Sequence, residues 1–137
     1  MMKRVLYLCL GLLFLLVSCN DDSEHRMNGM WQLKTVEDTN GNTTHVDTVY
    51  YSFQRQAVFS FTHLINENEA EVYYGYVDFP ADDKVQISID QRYRVDDFLK
   101  YSGWTDFDNT FIIKKVDGKR LVLLSEVDKK TYTFKKY

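Results

Sequence analysis

Hydrophobic and polar side chains alternate along most of the chain after residue 29. A period of two is typical of β-strands with one buried face, because successive side chains of a strand point to opposite sides. Ala57, Phe59, Phe61 and His63, for example, share one face of a predicted strand. The pattern predicts eight strands, at residues 30–36, 48–54, 57–64, 71–79, 84–90, 109–116, 120–127 and 130–135.

Turn residues separate the predicted strands. The Asn40-Gly41-Asn42 segment favours a turn because asparagine and glycine tolerate positive φ, and Asp117-Gly118 predicts a tight hairpin. Pro80 is expected to close the fourth strand, because proline cannot donate a hydrogen bond to a neighbouring strand. Residues 94–101 depart from the alternation, and their apolar spacing predicts one short helix that caps an end of the fold.

Eight antiparallel strands joined mostly by short turns can close on themselves, which removes exposed sheet edges. The predicted fold class is therefore all-β, an eight-stranded antiparallel barrel with one short helix. A β-sandwich is the alternative, since it shows the same short alternating strands and regular turns. The 137 residues suffice for one such domain, and the aromatic content of 15% is typical of a folded chain.

The N-terminus has the layout of a secretory signal. Lys3-Arg4 precedes an apolar run over residues 5–17, which is shorter than the roughly 20 residues that a membrane-spanning helix needs. The tetrapeptide Leu16-Val17-Ser18-Cys19 resembles the lipobox of bacterial lipoproteins, in which the cysteine is acylated after cleavage. The resemblance implies a signal peptide over residues 1–18, lipidation of Cys19 and a lipid anchor in the outer membrane.

Residues 19–27 are predicted to form a tether, because they begin with the acidic run 20–24, and residues 28–137 to form the folded domain. A similar acidic run follows the cysteine in lipoproteins of Bacteroidetes, where it is associated with export to the cell surface, and a simple solvated spacer is the alternative. The periplasmic face and the cell surface of the outer membrane both stay open. The chain has 17 basic and 20 acidic residues and a net charge of −3. This balance argues against nucleic acid as a partner.

A second resemblance concerns the barrel itself. Gly29-Met30-Trp31 matches the Gly-x-Trp pattern that opens the first strand of lipocalins, and the whole chain resembles the small lipocalin-like lipoproteins of Bacteroidetes. The resemblance implies that Gly29 permits a close backbone turn and that Trp31 plugs the closed end of the barrel. Lipocalins also stack an arginine from a late strand on this tryptophan, whereas here only Lys135 and Lys136 lie in the corresponding stretch.

No residue pattern specifies a reaction. His25, His45 and His63 lie far apart in the sequence, so no metal site is predicted. A serine nucleophile elbow, a glycine-rich phosphate loop and a paired cysteine and histidine are all missing from the sequence. We therefore predict no catalytic residues, no metal, no cofactor and no enzymatic activity.

Two binding functions stay open. In the first, the barrel holds a small apolar or aromatic ligand among side chains predicted to point inward, namely Phe59, Phe61, Tyr74, Tyr76 and Ile113. In the second, the barrel is filled by its own side chains and acts as an interaction module for an envelope protein or a glycan. Exposed tyrosine and tryptophan would then provide the contact surface.

Overall fold

The structure, a computed structural model, describes residues 23–55, 57–92 and 95–137. Cys19, the predicted signal peptide and the start of the predicted tether lie outside these residues. The described part contains the helices α1 (Ser23–Met27) and α2 (Phe98–Ser102). Its strands are β1 (Gly29–Glu37), β2 (Thr43–His45), β3 (Val49–Gln54), β4 (Val58–Asn66), β5 (Glu69–Ala81), β6 (Lys84–Ile89), β7 (Asp108–Val116), β8 (Arg120–Ser125) and β9 (Thr131–Lys136).

The strands form one antiparallel sheet that closes on itself. Around the barrel the order is β1, β3, β4, β5, β6, β7, β8 and β9, and β9 pairs again with β1. Strand β1 pairs with β3 along its first half and with the short β2 along its second half. The prediction of an eight-stranded antiparallel barrel is therefore confirmed. The sandwich alternative is wrong, because the ladder between β1 and β9 joins the first and last strands into one closed sheet.

Four local features differ from the sequence-based expectation. The three-residue strand β2 was not predicted, since it is too short to show alternation. Pro80 lies inside β5, where the pairing with β6 changes register between Asp78 and Ala81, and such an irregularity accommodates proline. Helix α2 begins at Phe98, later than expected, and α1 is an additional helix within the residues that the sequence assigned to the tether.

Helix α1 packs against one end of the barrel, here called the entry end. In an up-and-down barrel this end also carries the β3–β4, β5–β6 and β7–β8 connections and the end of β9. The Ser23 hydroxyl donates a hydrogen bond to the carbonyl of Asp82, in the β5–β6 turn. Met27 is fully buried, so the packed structure starts before residue 28. Within the described part of the chain, no helix is long and apolar enough to cross a membrane.

A single hydrophobic core fills the barrel, because alternate side chains of every long strand point inward. Its two ends are occupied by side chains from outside the strands, with Met27 at the entry end and Phe98 and Trp104 at the opposite, far end. The largest fully buried side chains of the strands are Trp31, Tyr51, Tyr132, Phe59, Phe61, Phe111, Phe134, Ile87, Leu121 and Leu123.

Candidate functional site

Aromatic side chains in mutual contact occupy the centre of the barrel. The ring centroid of Tyr51 lies 4.7 Å from that of Phe134, 5.4 Å from Phe59 and 6.1 Å from Trp104. Trp104 Nε1 donates a 2.9 Å hydrogen bond to the Tyr51 hydroxyl, which gives this buried group a partner. Burial raises the pKa of Tyr51 well above its usual range, so the hydroxyl stays neutral. The middle of the barrel is thus occupied by the protein's own side chains.

The connection between β6 and β7 closes the far end. The Phe98 ring in α2 is fully buried and lies 5.2 Å from both Phe61 and Trp104 and 5.3 Å from Tyr73, measured between centroids. Gly103 ends α2 in the left-handed conformation, with φ of 70°, and turns the chain so that Trp104 packs inward. The prediction that a helix caps one end of the barrel is therefore confirmed.

The five predicted ligand-binding residues do not share one surface. Phe59 and Phe61 are fully buried among the core rings, and Ile113 is partly buried against the core. Tyr74 and Tyr76 lie on the outside of the barrel, with 58% and 52% of their surfaces exposed. The prediction that these two tyrosines point inward is wrong.

The register of β5 explains this error. Tyr73 lies opposite Phe61 and Gly75 opposite Phe59, so the odd-numbered residues of β5 face the core. Gly75 hides this pattern, because it contributes no side chain to the inward face while Val72, Tyr74 and Tyr76 make the outward face look apolar. A Cβ at residue 75 would collide with the carbonyl oxygen of Ser88, so the close approach of β6 explains the glycine.

The outward tyrosines border an open groove of about 730 Å³ between β5 and described residues that follow β6, namely Asp90, Arg92, Asp96 and Asp97. Hydrogen bonds from both parts of this stretch link it to β5. The Asp90 N–H donates to the Tyr74 carbonyl at 2.9 Å, and the Tyr73 hydroxyl donates to the Asp96 carbonyl at 3.0 Å. Val58, which lies directly opposite Tyr76 on β4, and Val72 add apolar surface to the same groove. We call this site the tyrosine groove.

An ion pair fixes one of the two tyrosines. The Arg92 guanidinium donates to the Tyr76 hydroxyl at 2.7 Å and to Asp90 Oδ2 at 2.7 Å, and the Tyr76 hydroxyl donates to the same carboxylate at 3.3 Å. The side-chain hydrogen bond from Arg92, followed by that from its backbone N–H, lowers the pKa of Asp90 to about 2. The Asp90 side chain is only 8% exposed, whereas that of Arg92 is 73% exposed. The groove thus combines a fixed aromatic ring with a charged group that solvent can reach.

The sequence analysis missed Asp90 and Arg92 as site residues. Their signal was weak, consisting of an acidic residue at the end of a predicted strand and a basic residue two positions later. Only the position of Tyr76 on the outer face brings the two charges to an aromatic ring.

The two residues that the lipocalin resemblance singles out lie together at the entry end. Trp31 is fully buried, and its Nε1 donates a 2.9 Å hydrogen bond to the Met27 carbonyl. Gly29 has a φ of 117°, which favours glycine, and a Cβ there would collide with Lys136 Nζ. Lys136 Nζ lies 4.4 Å from the centroid of the Trp31 ring and donates a 2.5 Å hydrogen bond to the Asn28 carbonyl.

The folded arrangement of the described residues provides no candidate metal site. Across residues 23–55, 57–92 and 95–137, no three His, Cys, Asp or Glu residues converge in a group that could hold a metal ion. The predicted absence of an enzymatic activity and of a cofactor therefore stays a prediction.

Several solved structures share this fold. A lipocalin-like protein from Bacteroides uniformis has a TM-score of 0.71 and 24% sequence identity, over 82% of this chain and 99% of the other. An uncharacterised protein from Bacteroides eggerthii has a TM-score of 0.69 and 23% identity, over 81% and 99% of the two chains. Japanin from Rhipicephalus appendiculatus, solved bound to cholesterol, has a TM-score of 0.52 and 15% identity, over 81% and 76%.

Sequence comparison is consistent with these structural similarities. Among curated proteins, none matches this sequence. A family model described as a lipocalin-like domain matches residues 14–137, which is most of the chain. The chain therefore belongs to the lipocalin-like domain family.

Proposed function

We propose that this protein is a lipid-anchored binding protein of the bacterial outer membrane that uses the outside of its barrel, at the tyrosine groove, to bind a glycan. One observation carries this proposal. Phe98 and Trp104 fill the far end of the barrel, whereas Tyr74 and Tyr76 are exposed in an open groove. The barrel then acts as a rigid scaffold, and the binding role agrees with the second function left open by the sequence.

The chemistry of the tyrosine groove favours a glycan. Sugars have C–H faces that pack on aromatic rings and a rim of hydroxyls that exchange hydrogen bonds with charged groups. Tyr74 and Tyr76 offer the ring surface, and the exposed Arg92 places a charged group beside it. The groove volume of about 730 Å³ lies in the range of small-ligand sites, about 300–1,000 Å³, and suits a short oligosaccharide.

The fixed position of the Tyr76 ring also favours a binding role. An exposed tyrosine normally loses rotational freedom when a ligand packs against it, which weakens binding. Here the hydrogen bonds to Arg92 and Asp90 hold the ring before any ligand arrives. The entropic cost of ordering this side chain is therefore already met in the free protein.

A small apolar ligand inside the barrel is the second candidate. The cholesterol bound to Japanin supports it only at the level of the shared fold, because the two sequences are 15% identical. In this chain such a ligand would have to displace Phe98 and Trp104 from the far end. The tyrosine groove requires no displacement of the core, so it is the preferred site.

Titration of the protein with a panel of neutral oligosaccharides tests the glycan proposal. We expect saturable binding, weakened about tenfold, or about 1.4 kcal/mol, by Tyr74→Ala, because this substitution removes an exposed ring without touching the core. Tyr137→Ala is the matched control, since Tyr137 is 77% exposed and does not line the groove. Equal affinities of the two variants, or no binding by wild type to any sugar of the panel, would contradict the proposal.

The lipid anchor is tested separately. Cells expressing the protein are grown with a labelled fatty acid, and the protein is then extracted with detergent. We expect label in the wild type and none in Cys19→Ser, which should lose its membrane anchor. Unlabelled wild-type protein that partitions into buffer would show that Cys19 is not acylated.

A further inference from the structure

A second groove, of about 730 Å³, follows the outside of β9 from the β7–β8 hairpin to β1. We call it the basic groove, because its described lining holds five cationic residues and no carboxylate. The cations are Lys34, Lys119, Arg120, Lys135 and Lys136, of which Lys136 has its ammonium held against Trp31 and the Asn28 carbonyl. Lys34 pairs with Asp47 at 2.7 Å, whereas Lys119, Arg120 and Lys135 form no ion pair with any described carboxylate.

The β7–β8 hairpin presents two of these cations to solvent. Asp117 Oδ1 accepts hydrogen bonds from the backbone N–H groups of Lys119 and Arg120, each at 2.8 Å, and these bonds lower the pKa of Asp117. Its second oxygen lies 3.8 Å from Lys115 Nζ. The carboxylate of Asp117 therefore stabilises the turn, while the Lys119 and Arg120 side chains remain exposed.

The basic groove reaches the end of the barrel where the chain enters. The Lys136 N–H donates a 2.9 Å hydrogen bond to the Lys119 carbonyl, which joins the hairpin to the last strand at this end. Helix α1 packs at the same end through Ser23 and Met27. Cys19 precedes Ser23 by four residues, so their Cα atoms are at most about 14 Å apart. Acylation of Cys19 would therefore keep the entry end close to the bilayer.

We propose that the basic groove docks on the anionic phosphate headgroups of the membrane that holds the anchor. This inference rests on the proposed lipidation of Cys19. Docking would point the entry end toward the bilayer and the far end, with Asp90 and Asp96 of the tyrosine groove, away from it. Basic side chains are attracted to an anionic surface within a Debye length, about 10 Å at moderate salt.

The local charge of the groove is opposite to that of the whole chain. Two of the 17 basic residues lie in the predicted signal peptide, so residues 19–137 carry 15 basic and 20 acidic residues, or a net charge of −5. This negative net charge is repelled by anionic lipid, so an arbitrary face of the protein is not expected to bind the membrane. Only a surface that gathers unpaired cations, as the basic groove does, can dock on anionic lipid.

Vesicle flotation at low salt tests this docking without the anchor. Residues 19–137 carrying Cys19→Ser are suitable, because the described core lies wholly within them. We expect this chain to bind vesicles of mixed phosphatidylglycerol and phosphatidylcholine and to ignore vesicles of phosphatidylcholine alone. Lys119→Ala with Arg120→Ala should weaken binding at least about tenfold, since each cation contributes about fivefold near an anionic surface.

Lys100→Ala with Lys129→Ala is the matched control, because it removes two exposed cations from the far end. Equal losses in the two double variants, or no binding by the otherwise unsubstituted chain, would overturn the docking proposal whatever the labelling of Cys19 shows. Free inorganic phosphate at the concentration of the lipid headgroups should not compete, and full competition would also overturn it. Failed labelling of Cys19 would overturn the anchor and not the lipid-binding property of the groove.

Discussion

Lys136 takes the place at Trp31 that the lipocalin resemblance assigns to an arginine. Its ammonium lies 4.4 Å from the centroid of the indole ring and donates a hydrogen bond to the Asn28 carbonyl. A cation over the face of a tryptophan is attracted by the negative charge density of the ring. Burial lowers the pKa of Lys136, whereas the ring and the carbonyl both favour its charged form. The missing arginine is thus replaced by a residue of the same charge from the last strand.

Replacing Lys136 should reveal the energy of this contact. Lys136→Met keeps the apolar stem but removes the charge and the hydrogen bond, so we expect a loss of about 1–3 kcal/mol in the free energy of unfolding. Lys136→Arg should retain most of the stability, because it keeps the cation. Urea unfolding measures both, with Lys135→Met on the exposed neighbour as the control. A stability of Lys136→Met equal to wild type would mean that desolvation of the ammonium cancels its attraction to the ring.

Trp31→Ala should destabilise the domain by about 3–5 kcal/mol, as large deletions in a core do. Trp31 is fully buried and also donates the hydrogen bond that holds the Met27 carbonyl, so the loss should extend to the packing of α1. Urea denaturation followed by circular dichroism measures the change. A loss below about 1 kcal/mol would be typical of a surface residue and would remove Trp31 as the plug of the entry end.

Phe61→Ala should turn a filled barrel into one with a cavity. We expect no saturable binding of an apolar fluorescent probe by the wild type, because Phe61 and Phe98 occupy the far half of the core. The variant should lose about 3–5 kcal/mol of stability and gain binding of benzene, which enters dry cavities of this kind. Saturable one-site binding by wild type that Phe61→Ala weakens would instead favour the small apolar ligand.

His63 should make stability depend on pH. Its ring stacks on Tyr101 at 4.1 Å between centroids, and its buried Nδ1 has no hydrogen-bond partner. Burial lowers the pKa of His63 below its usual value of 6.5, while the negative charge of Glu71 acts in the opposite direction and raises it. The unfolded chain therefore binds a proton more readily, and stability should fall as the pH falls through 6.5 toward the lowered value.

Urea unfolding at pH 8 and at pH 5 tests this dependence, and His63→Gln should reduce the difference between the two measurements. His45→Gln is the control, because His45 lies exposed in β2. An unchanged pH dependence in His63→Gln would assign the effect to other groups.

The sequence by itself determined that this protein is an all-β domain with eight long strands, and the ladder between β1 and β9 decided that they close into a barrel. Apolar and polar residues alternate in any strand that has one buried face. This alternation therefore predicted the eight barrel strands close to their observed limits. Phe59 and Phe61 show why this worked, because both lie on the face that the pattern assigned to the core. The basic start, the apolar run and Cys19 predict a lipoprotein signal from local sequence alone, and the lipidation of Cys19 stays a prediction.

Tertiary structure decided which side chains are exposed on the barrel and available to bind a partner. The sequence gives no register between β4 and β5, and Gly75 leaves a gap in the inward pattern, so only the pairing shows that Tyr74 and Tyr76 face outward. The approach of Arg92 to Tyr76 joins residues 16 positions apart, and that of Lys136 to Trp31 joins the two ends of the domain. Such contacts depend on how strands close around the barrel, which is a property of the whole chain and not of any local pattern.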